Sequence, residues 1–134
     1  MELKRIHHVA MTHPTGSPLL AALAGLCDLS ADHIEAADGF IERMWGVGDG
    51  FVQTLEATGD GIIQQSLDTR GPGLHHIAFE VDDLDSALVE LADAGVHLID
   101  SIPRAGGAGT LIAFVHPSAF GGVLVELVEE PASH

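Results

Sequence analysis

The alternation of apolar and polar residues predicts a strand over residues 5–12. One face of this strand carries Ile6, His8, Ala10 and Thr12, whereas His7, Val9 and Met11 fall on the other face. Ser17 and Pro18 then form a typical helix start, and an apolar stripe from Leu19 to Ala24 ends at Gly25. Glycine-rich turns separate three further predicted strands, over residues 33–36, 40–47 and 51–56.

The same order of elements recurs in the second half of the chain. A strand is predicted over residues 74–81, and a helix over residues 84–94 has apolar positions at helical spacing. Strands are predicted at 96–102, 110–116 and 123–129, and the glycine-rich stretch 103–109 is expected to be a flexible loop. The pattern therefore predicts an α+β fold made of two tandem βαβββ modules, curled into an eight-stranded cup.

A repeated dipeptide supports the duplication. His7-His8 and His75-His76 stand in matching contexts, Ile-His-His-Val-Ala and Leu-His-His-Ile-Ala, and 68 residues separate His8 from His76. An internal repeat of about half the chain indicates two copies of one module. We expect a single domain over residues 1–134, with module one at about 4–57, a linker at about 58–72 and module two at about 73–130.

Symmetric strand positions allow the imidazoles of His8 and His76 to converge on one metal ion, although two core histidines bonded to backbone would give the same pattern. Glu126 lies within an apolar run, where a carboxylate is costly unless it is paired, protonated or bound to a cation. The alternative for Glu126 is a solvent-facing edge strand. Gln53 occupies the matching strand of the first module, although a solvent-facing Gln is common there. Together, His8, Gln53, His76 and Glu126 form a set that suits Co, Mn, Zn, Ni or Fe.

Glu42 is a further candidate, because it shares a strand face with Phe40 and Met44. It is either exposed, paired with a cation such as Arg70 or Arg104, or directed into the cup as an acid/base. Two carboxylates on opposite sides of a carbon acid are what a proton transfer between its two faces requires. His7 and His75 are expected on the opposite strand faces and are not expected to bind metal.

Composition narrows the partners. The chain has 20 acidic and 5 basic side chains and a net charge of −15, which disfavours nucleic acid and anionic membranes as partners. The absence of a long apolar segment and of an N-terminal signal pattern favours a cytoplasmic protein, and the single Cys27 agrees with that.

Residues 71–130 resemble the methylmalonyl-CoA epimerases of the vicinal-oxygen-chelate superfamily, which also contains glyoxalase I and extradiol dioxygenases. The resemblance rests on Gly-Pro-Gly-Leu-His-His-Ile-Ala-Phe-Glu-Val-Asp-Asp-Leu-Asp and on Gly-Gly-Val-Leu-Val-Glu-Leu, and more weakly on Gly-Phe-Ile-Glu and Val-Gln-Thr-Leu-Glu. It implies a homodimer that binds a cobalt-type divalent ion and a small acyl-CoA substrate. The implied metal ligands are His8, Gln53, His76 and Glu126, and the implied acid/base residues are Glu42 and Glu126.

The sequence departs from the family at Ser118, Ala119 and Phe120, where Lys followed by Ser or Thr is usual. Three functions follow from this reading. The first is an epimerase acting on methylmalonyl-CoA or a close 2-alkylmalonyl-CoA. The second is a glyoxalase-type lyase or isomerase, or a dioxygenase, acting on a substrate without CoA. The third is a metal-free binding protein of the same fold.

Overall fold

The computed structural model describes residues 1–132 and contains eight strands, three α-helices and short 3₁₀ and π segments. The element order gives βαβββ twice, so the predicted α+β class with two such modules is confirmed. The chain folds as two compact units. One unit is residues 8–75, and the other is residues 1–7 together with the chain from residue 76 onward.

The unit of residues 8–75 contains most of the first strand and three strands after it. Their bounds are β1 (Arg5–Pro14), β2 (Ala31–Ala37), β3 (Phe40–Val47) and β4 (Gly50–Ala57). The strand order is β2-β3-β4-β1, with β4 parallel to β1 and the other pairs antiparallel. Helix α1 (Leu19–Ala21) continues as a π-helix over Ala22–Leu26, and α2 (Ile62–Arg70) follows β4.

The core of this unit is small. Ala10, Leu55, Ala57 and Ile63 are buried, and Phe40 and Leu67 pack against them. Ile63 and Leu67 lie four residues apart, so one side of α2 is held on the strands. Helix α1 and its π extension bury no residue fully. The predicted apolar stripe from Leu19 to Ala24 is therefore only half-buried at best.

The second unit has the strand order β5-β8-β7-β6. Its strands are β5 (Gly73–Glu80), β6 (Arg104–Ala105), β7 (Leu111–Val115) and β8 (Val125–Glu129). Helix α3 (Leu84–Asp93) begins at Asp83, whose carboxylate accepts a hydrogen bond from the Ser86 N–H at 3.1 Å. The helix packs its apolar face on a core that includes Val81, Leu84, Ala87, Leu88, Ala113, Val115, Val125 and Leu127.

Two predicted elements are wrong. Residues 96–102 do not form a strand, because the Asp100 carboxylate accepts the Phe114 N–H at 2.8 Å and only Leu98 forms a bridge, with Val115. The stretch predicted as a flexible loop instead contains β6 and a 3₁₀ turn over Gly107–Gly109. The predicted linker contains α2. None of the helices within residues 1–132 is long and apolar enough to cross a bilayer.

Candidate active site

His76 and Glu126 lie side by side on parallel strands. The β5–β8 register places Ala78 opposite Glu126, so His76, two residues earlier on the same face, reaches the carboxylate. Nε2 of His76 lies 3.4 Å from Oε2 of Glu126, and their side chains are only 4% and 7% exposed. The small side chain of Ala78 leaves this space open. A buried imidazole beside a buried carboxylate is a donor pair that divalent transition metals favour.

The ring of Phe114 closes one side of this pair. Phe114 is opposite Glu126 in the β7–β8 register, and its ring meets the His76 imidazole edge to face, with 5.3 Å between the ring centroids. This apolar wall limits water around the pair and fixes the plane of the imidazole. The arrangement agrees with the predicted burial of Glu126 within the sheet, and not with the solvent-facing alternative.

The other unit holds a second polar pair. The β3–β4 register places Gln53 opposite Met44 and Glu42 opposite Leu55, so both polar side chains share one face. Nε2 of Gln53 donates a hydrogen bond to Oε1 of Glu42. Oε1 of Gln53 is buried and has no hydrogen-bond partner among residues 1–132. An orphaned buried amide oxygen is costly, and coordination of a cation would satisfy it.

Glu42 sits in an environment suited to proton transfer. Burial raises the pKa of its carboxyl, and the negative charge of Glu35 raises it further, whereas the hydrogen bond from Gln53 lowers it. A carboxyl whose pKa is raised toward neutrality can both accept and donate a proton. The predicted sharing of a face with Phe40 and Met44 is confirmed by the strand register. Neither Arg70 nor Arg104 is among its partners.

The surroundings of Glu42 include two residues that the sequence did not single out. Glu35 lies directly opposite Glu42 across the β2–β3 pair, and Nε2 of His33 lies 3.4 Å from Oε2 of Glu35. The donor atoms of His33, Glu35 and Glu42 all lie within 4.8 Å of one another. The Asp38-Gly39 turn in the sequence could have indicated these neighbours of Glu42. A hairpin at this turn pairs the alternating polar residues of β2 with those of β3.

The remaining histidines of the two dipeptides differ from each other. His7 is buried, and its Nε2 forms a hydrogen bond with Oε1 of Glu130, so its burial has a structural reason. His75 is half-buried, and burial lowers the pKa of its imidazole, with a smaller contribution from Arg70. His8 is 3% exposed and lies opposite Phe51 in the β1–β4 register, two residues before Ala10, which is opposite Gln53.

The segment that departs from the resembled family forms a 3₁₀ turn over Pro117–Phe120. Nδ1 of His116 accepts a hydrogen bond from the Ser118 N–H at 3.0 Å and lies 2.9 Å from the Ser118 hydroxyl. Phe120 packs against the core of its unit. The residues that replace the usual Lys and Ser or Thr therefore fold the turn and anchor it, and they add no cation.

Residues 7–114 match the Glyoxalase/Bleomycin resistance protein/Dioxygenase superfamily. This match covers well over half of the chain, so the protein belongs to that superfamily. A solved methylmalonyl-CoA epimerase in complex with methylmalonyl-CoA and NH₄⁺ is 31% identical in sequence. The similarity covers 98% of this chain and 97% of that chain, with a TM-score of 0.87. The resemblance drawn from the sequence and the fold it implied are both confirmed.

Two curated relatives match the chain over shorter segments. The mitochondrial methylmalonyl-CoA epimerase of Dictyostelium discoideum is 45% identical over 58 residues, which are 43% of this chain and 35% of that protein. The uncharacterized protein YqjC of Bacillus subtilis (strain 168) is 51% identical over 63 residues, 47% of this chain and 45% of that protein. The matched segment spans less than half of the length of either relative.

Proposed function

We propose that the chain is an epimerase that interconverts the 2-epimers of methylmalonyl-CoA or a close 2-alkylmalonyl-CoA. The observation that carries the proposal is the pairing of two shielded carboxyl groups with metal-type donors, Glu126 with His76 and Glu42 with Gln53. The similarity to a solved epimerase that binds methylmalonyl-CoA supports the substrate class. The substrate is then an acyl-CoA whose α-carbon is acidified by the thioester and also bears a free carboxyl group.

His8, Gln53, His76 and Glu126 are the proposed ligands of one divalent ion. The donor chemistry fits, because two imidazoles, an amide oxygen and a carboxylate are the mixed N and O set that first-row metals accept. The orphaned Oε1 of Gln53 supports the fit, since a cation is the partner that this buried oxygen lacks within residues 1–132. Cobalt is proposed by resemblance, with Mn, Zn, Ni and Fe as alternatives. When bound, such an ion stabilises negative charge on the thioester oxygen of the substrate.

Glu42 and Glu126 are the proposed acid/base pair. One carboxylate removes the α-proton from its face of the carbon, and the other carboxyl delivers a proton to the opposite face, which inverts the centre. The raised pKa of Glu42 suits this role, because its carboxyl then holds a proton nearer to neutral pH. The hydrogen bond from Gln53 orients the Glu42 carboxylate, so that less reorganisation is needed before the proton moves.

The proposal extends to the setting of the protein. We also propose that the protein is a single-domain, cytoplasmic homodimer acting on a small-molecule acyl-CoA, as expected from the sequence. The acidic composition disfavours nucleic acid and anionic membranes as partners.

A solvent-exchange experiment tests the proposed function. Metal-loaded protein is incubated with methylmalonyl-CoA in D₂O, and α-deuterium is followed by NMR or mass spectrometry. The expected result is deuterium incorporation together with loss of optical purity. Exchange no faster than in the protein-free control, from protein whose bound metal is verified, would contradict the proposal. Turnover of a substrate without CoA instead would favour the lyase, isomerase or dioxygenase alternatives.

A further inference from the structure

Cations are scarce in this chain, and the structure commits most of them to carboxylates. Of the five basic side chains, three form ion pairs with partly or fully buried acids: Lys4 and Arg5 with Glu80, and Arg43 with Glu56. Arg70 lies at the end of α2, in the unit that does not contain His76 and Glu126. An anionic substrate on a chain with a net charge of −15 needs a local cation to offset repulsion. The remaining basic residue, Arg104, is therefore the candidate for binding an anionic group of the substrate.

Arg104 is held in a defined position. Its Nε donates to Oδ2 of Asp100 at 3.3 Å, and its guanidinium carbon lies 5.4 Å from the centroid of the Phe114 ring. The side chain of Arg104 is nevertheless 55% exposed. Within residues 1–132 its two terminal nitrogens have no other ion pair, so they keep donors for a ligand.

The backbone around Arg104 is ordered as well. β6 pairs antiparallel with β7, and the following turn is closed by hydrogen bonds from Gly106 N to Thr110 O and from Thr110 Oγ1 to Gly107 O. A Cβ at Gly106 would lie 2.5 Å from Thr110 Oγ1, so only glycine allows this close approach. Arg104 is therefore presented by a tight hairpin edge, and this limits the entropy lost when it binds a ligand.

Phe114 links Arg104 to the candidate site. The same ring that lies beneath the guanidinium contacts the imidazole of His76, at a centroid distance of 5.3 Å. His76 in turn lies 3.4 Å from Glu126. Arg104 is thus one aromatic ring away from the pair of residues that we assign to metal and proton transfer, and it belongs to the same compact unit.

We propose that Arg104 binds an anionic oxygen group of the acyl-CoA substrate and thereby sets the affinity for it. This inference rests on the proposed function. A planar guanidinium with two available terminal nitrogens matches a carboxylate or a phosphate through paired hydrogen bonds. The substrate offers both chemistries, in its free malonyl carboxyl group and in the phosphates of CoA. Asp100 supplies the opposing charge that keeps Arg104 in place when no ligand is bound.

The test compares Arg104→Gln, Arg104→Lys and the control Arg70→Gln in steady-state epimerisation assays. Two substrates are used, methylmalonyl-CoA and the methylmalonyl thioester of N-acetylcysteamine, which keeps the carboxyl group but lacks the phosphates. Loss of a charged hydrogen-bond pair predicts that Arg104→Gln raises KM for methylmalonyl-CoA by about 10–100-fold. The value of kcat changes less, because this binding is made before the chemical step. Arg104→Lys gives a smaller rise in KM, and Arg70→Gln stays close to wild type.

The possible outcomes distinguish which anionic group of the substrate Arg104 binds, and whether this inference or the proposed function fails. A rise in KM for both substrates assigns Arg104 to the carboxyl group, and a rise for the CoA ester alone assigns it to the phosphates. Unchanged KM for both substrates overturns the inference while the proposed function stands, as does an equal loss of kcat in Arg104→Gln and Arg104→Lys. An inactive wild-type protein overturns the proposed function. Calorimetric titration with methylmalonyl-CoA then decides the inference, and equal affinity of wild type and Arg104→Gln overturns it.

Discussion

The side-chain amide of Gln53 donates a hydrogen bond to the carboxylate of Glu42, and this contact leaves the buried Oε1 of Gln53 without a partner in the described part of the chain. One amide therefore joins two proposed roles, because its nitrogen orients an acid/base and its oxygen is offered to a cation. The orientation of the amide follows from the hydrogen bond, since only the nitrogen can donate to a carboxylate. The two roles are separable by substitution.

Glu42→Gln should leave the fold and the metal content unchanged, because a glutamine side chain at this position can still accept the Gln53 hydrogen bond through its amide oxygen. Epimerisation should fall by ~10²–10⁴-fold, the usual contribution of a positioned proton donor or acceptor. Exchange of the α-proton from one substrate epimer should persist through the other carboxyl group. Paired chiral and deuterium-exchange assays measure both effects. A rate near that of wild type would end the two-carboxylate mechanism and direct attention to bound water.

Glu126→Gln should weaken metal binding and catalysis together, since we assign Glu126 to both. The affinity for Co²⁺ should fall by at least ~10-fold, because even changes in the groups that support metal ligands have effects of this size. Calorimetric titration of metal-free protein measures the change. Glu42→Gln is the matched control, with the same chemical substitution at the carboxyl group that we do not assign to the metal. Equal Co²⁺ affinities for the two variants would remove Glu126 from the ligand set.

His76→Ala should lose the bound metal, whereas His75→Ala should keep it, because the adjacent histidine occupies the other face of β5. The same contrast is expected between His8→Ala and His7→Ala. His7→Ala should lower stability instead, since it removes the hydrogen bond with Glu130. Metal content after dialysis, measured by elemental analysis, distinguishes these cases. Loss of metal from His75→Ala comparable to that from His76→Ala would show that the faces are wrongly assigned.

Acid should selectively remove the contribution of the Arg43–Glu56 ion pair. The hydrogen bond from Arg43, 2.6 Å long, holds the pKa of Glu56 below its usual range. A depressed folded-state pKa gives stability that is present above the unfolded pKa of about 4.3 and is lost as the pH falls through the folded pKa. Arg43→Gln should therefore lower the free energy of unfolding by about 1.5–3 kcal/mol at pH 7, and by progressively less below pH 4.

Urea unfolding of wild type and Arg43→Gln across this pH range measures the difference. The double variant Arg43→Gln/Glu56→Gln serves as the control, because it lacks both the ion pair and the titrating carboxyl group. A stability gap between wild type and Arg43→Gln that does not narrow in acid would contradict the assignment.

Gly39→Ala should be strongly destabilising, because φ at Gly39 is +85° and an added Cβ would clash with the Asp60 carbonyl oxygen. The backbone conformation alone costs about 1–2 kcal/mol for a residue with a side chain, and the clash adds to this. Gly48→Ala is the matched control, with φ of +56° but open space around the Cβ. Thermal unfolding of both variants separates the two terms. Similar losses at positions 39 and 48 would show that the clash is relieved by movement of the loop.

The sequence predicted those parts of the fold where side-chain period and turn residues agree. Strand β3 was predicted with its observed bounds. The helix predicted at 84–94 begins where predicted and ends one residue earlier, at Asp93, because Asp83 and Gly95 mark its ends. The prediction of a strand at 96–102 was wrong, because the Asp100 side chain accepts the hydrogen bond from the Phe114 N–H. In a strand, a backbone carbonyl would accept that hydrogen bond. Helix α2 was missed because its two packed residues, Ile63 and Leu67, are set among polar ones.

Two residues proposed for the candidate site from the sequence lie next to each other in the structure, but the residues around them were not predicted. The repeat singled out His76 and the apolar run singled out Glu126, and the structure places the two side by side. The ring of Phe114 and the carboxylate of Glu35 lie beside the predicted residues through strand register. Register depends on which strands become neighbours. The spacing of residues along one strand does not predict its neighbouring strands. The ligand set as a whole stays a prediction.

Asp100 shows how one side chain ties together two positions that look independent along the chain. Its carboxylate binds the backbone of Phe114 and the side chain of Arg104 at once. Replacement of Asp100 would remove its hydrogen bond with the Phe114 N–H and, at the same time, its ion pair with Arg104. Substitution of Asp100 is therefore constrained both by the charge of Arg104 and by the hydrogen bond to the Phe114 backbone. We expect residues 100 and 104 to change together in related sequences.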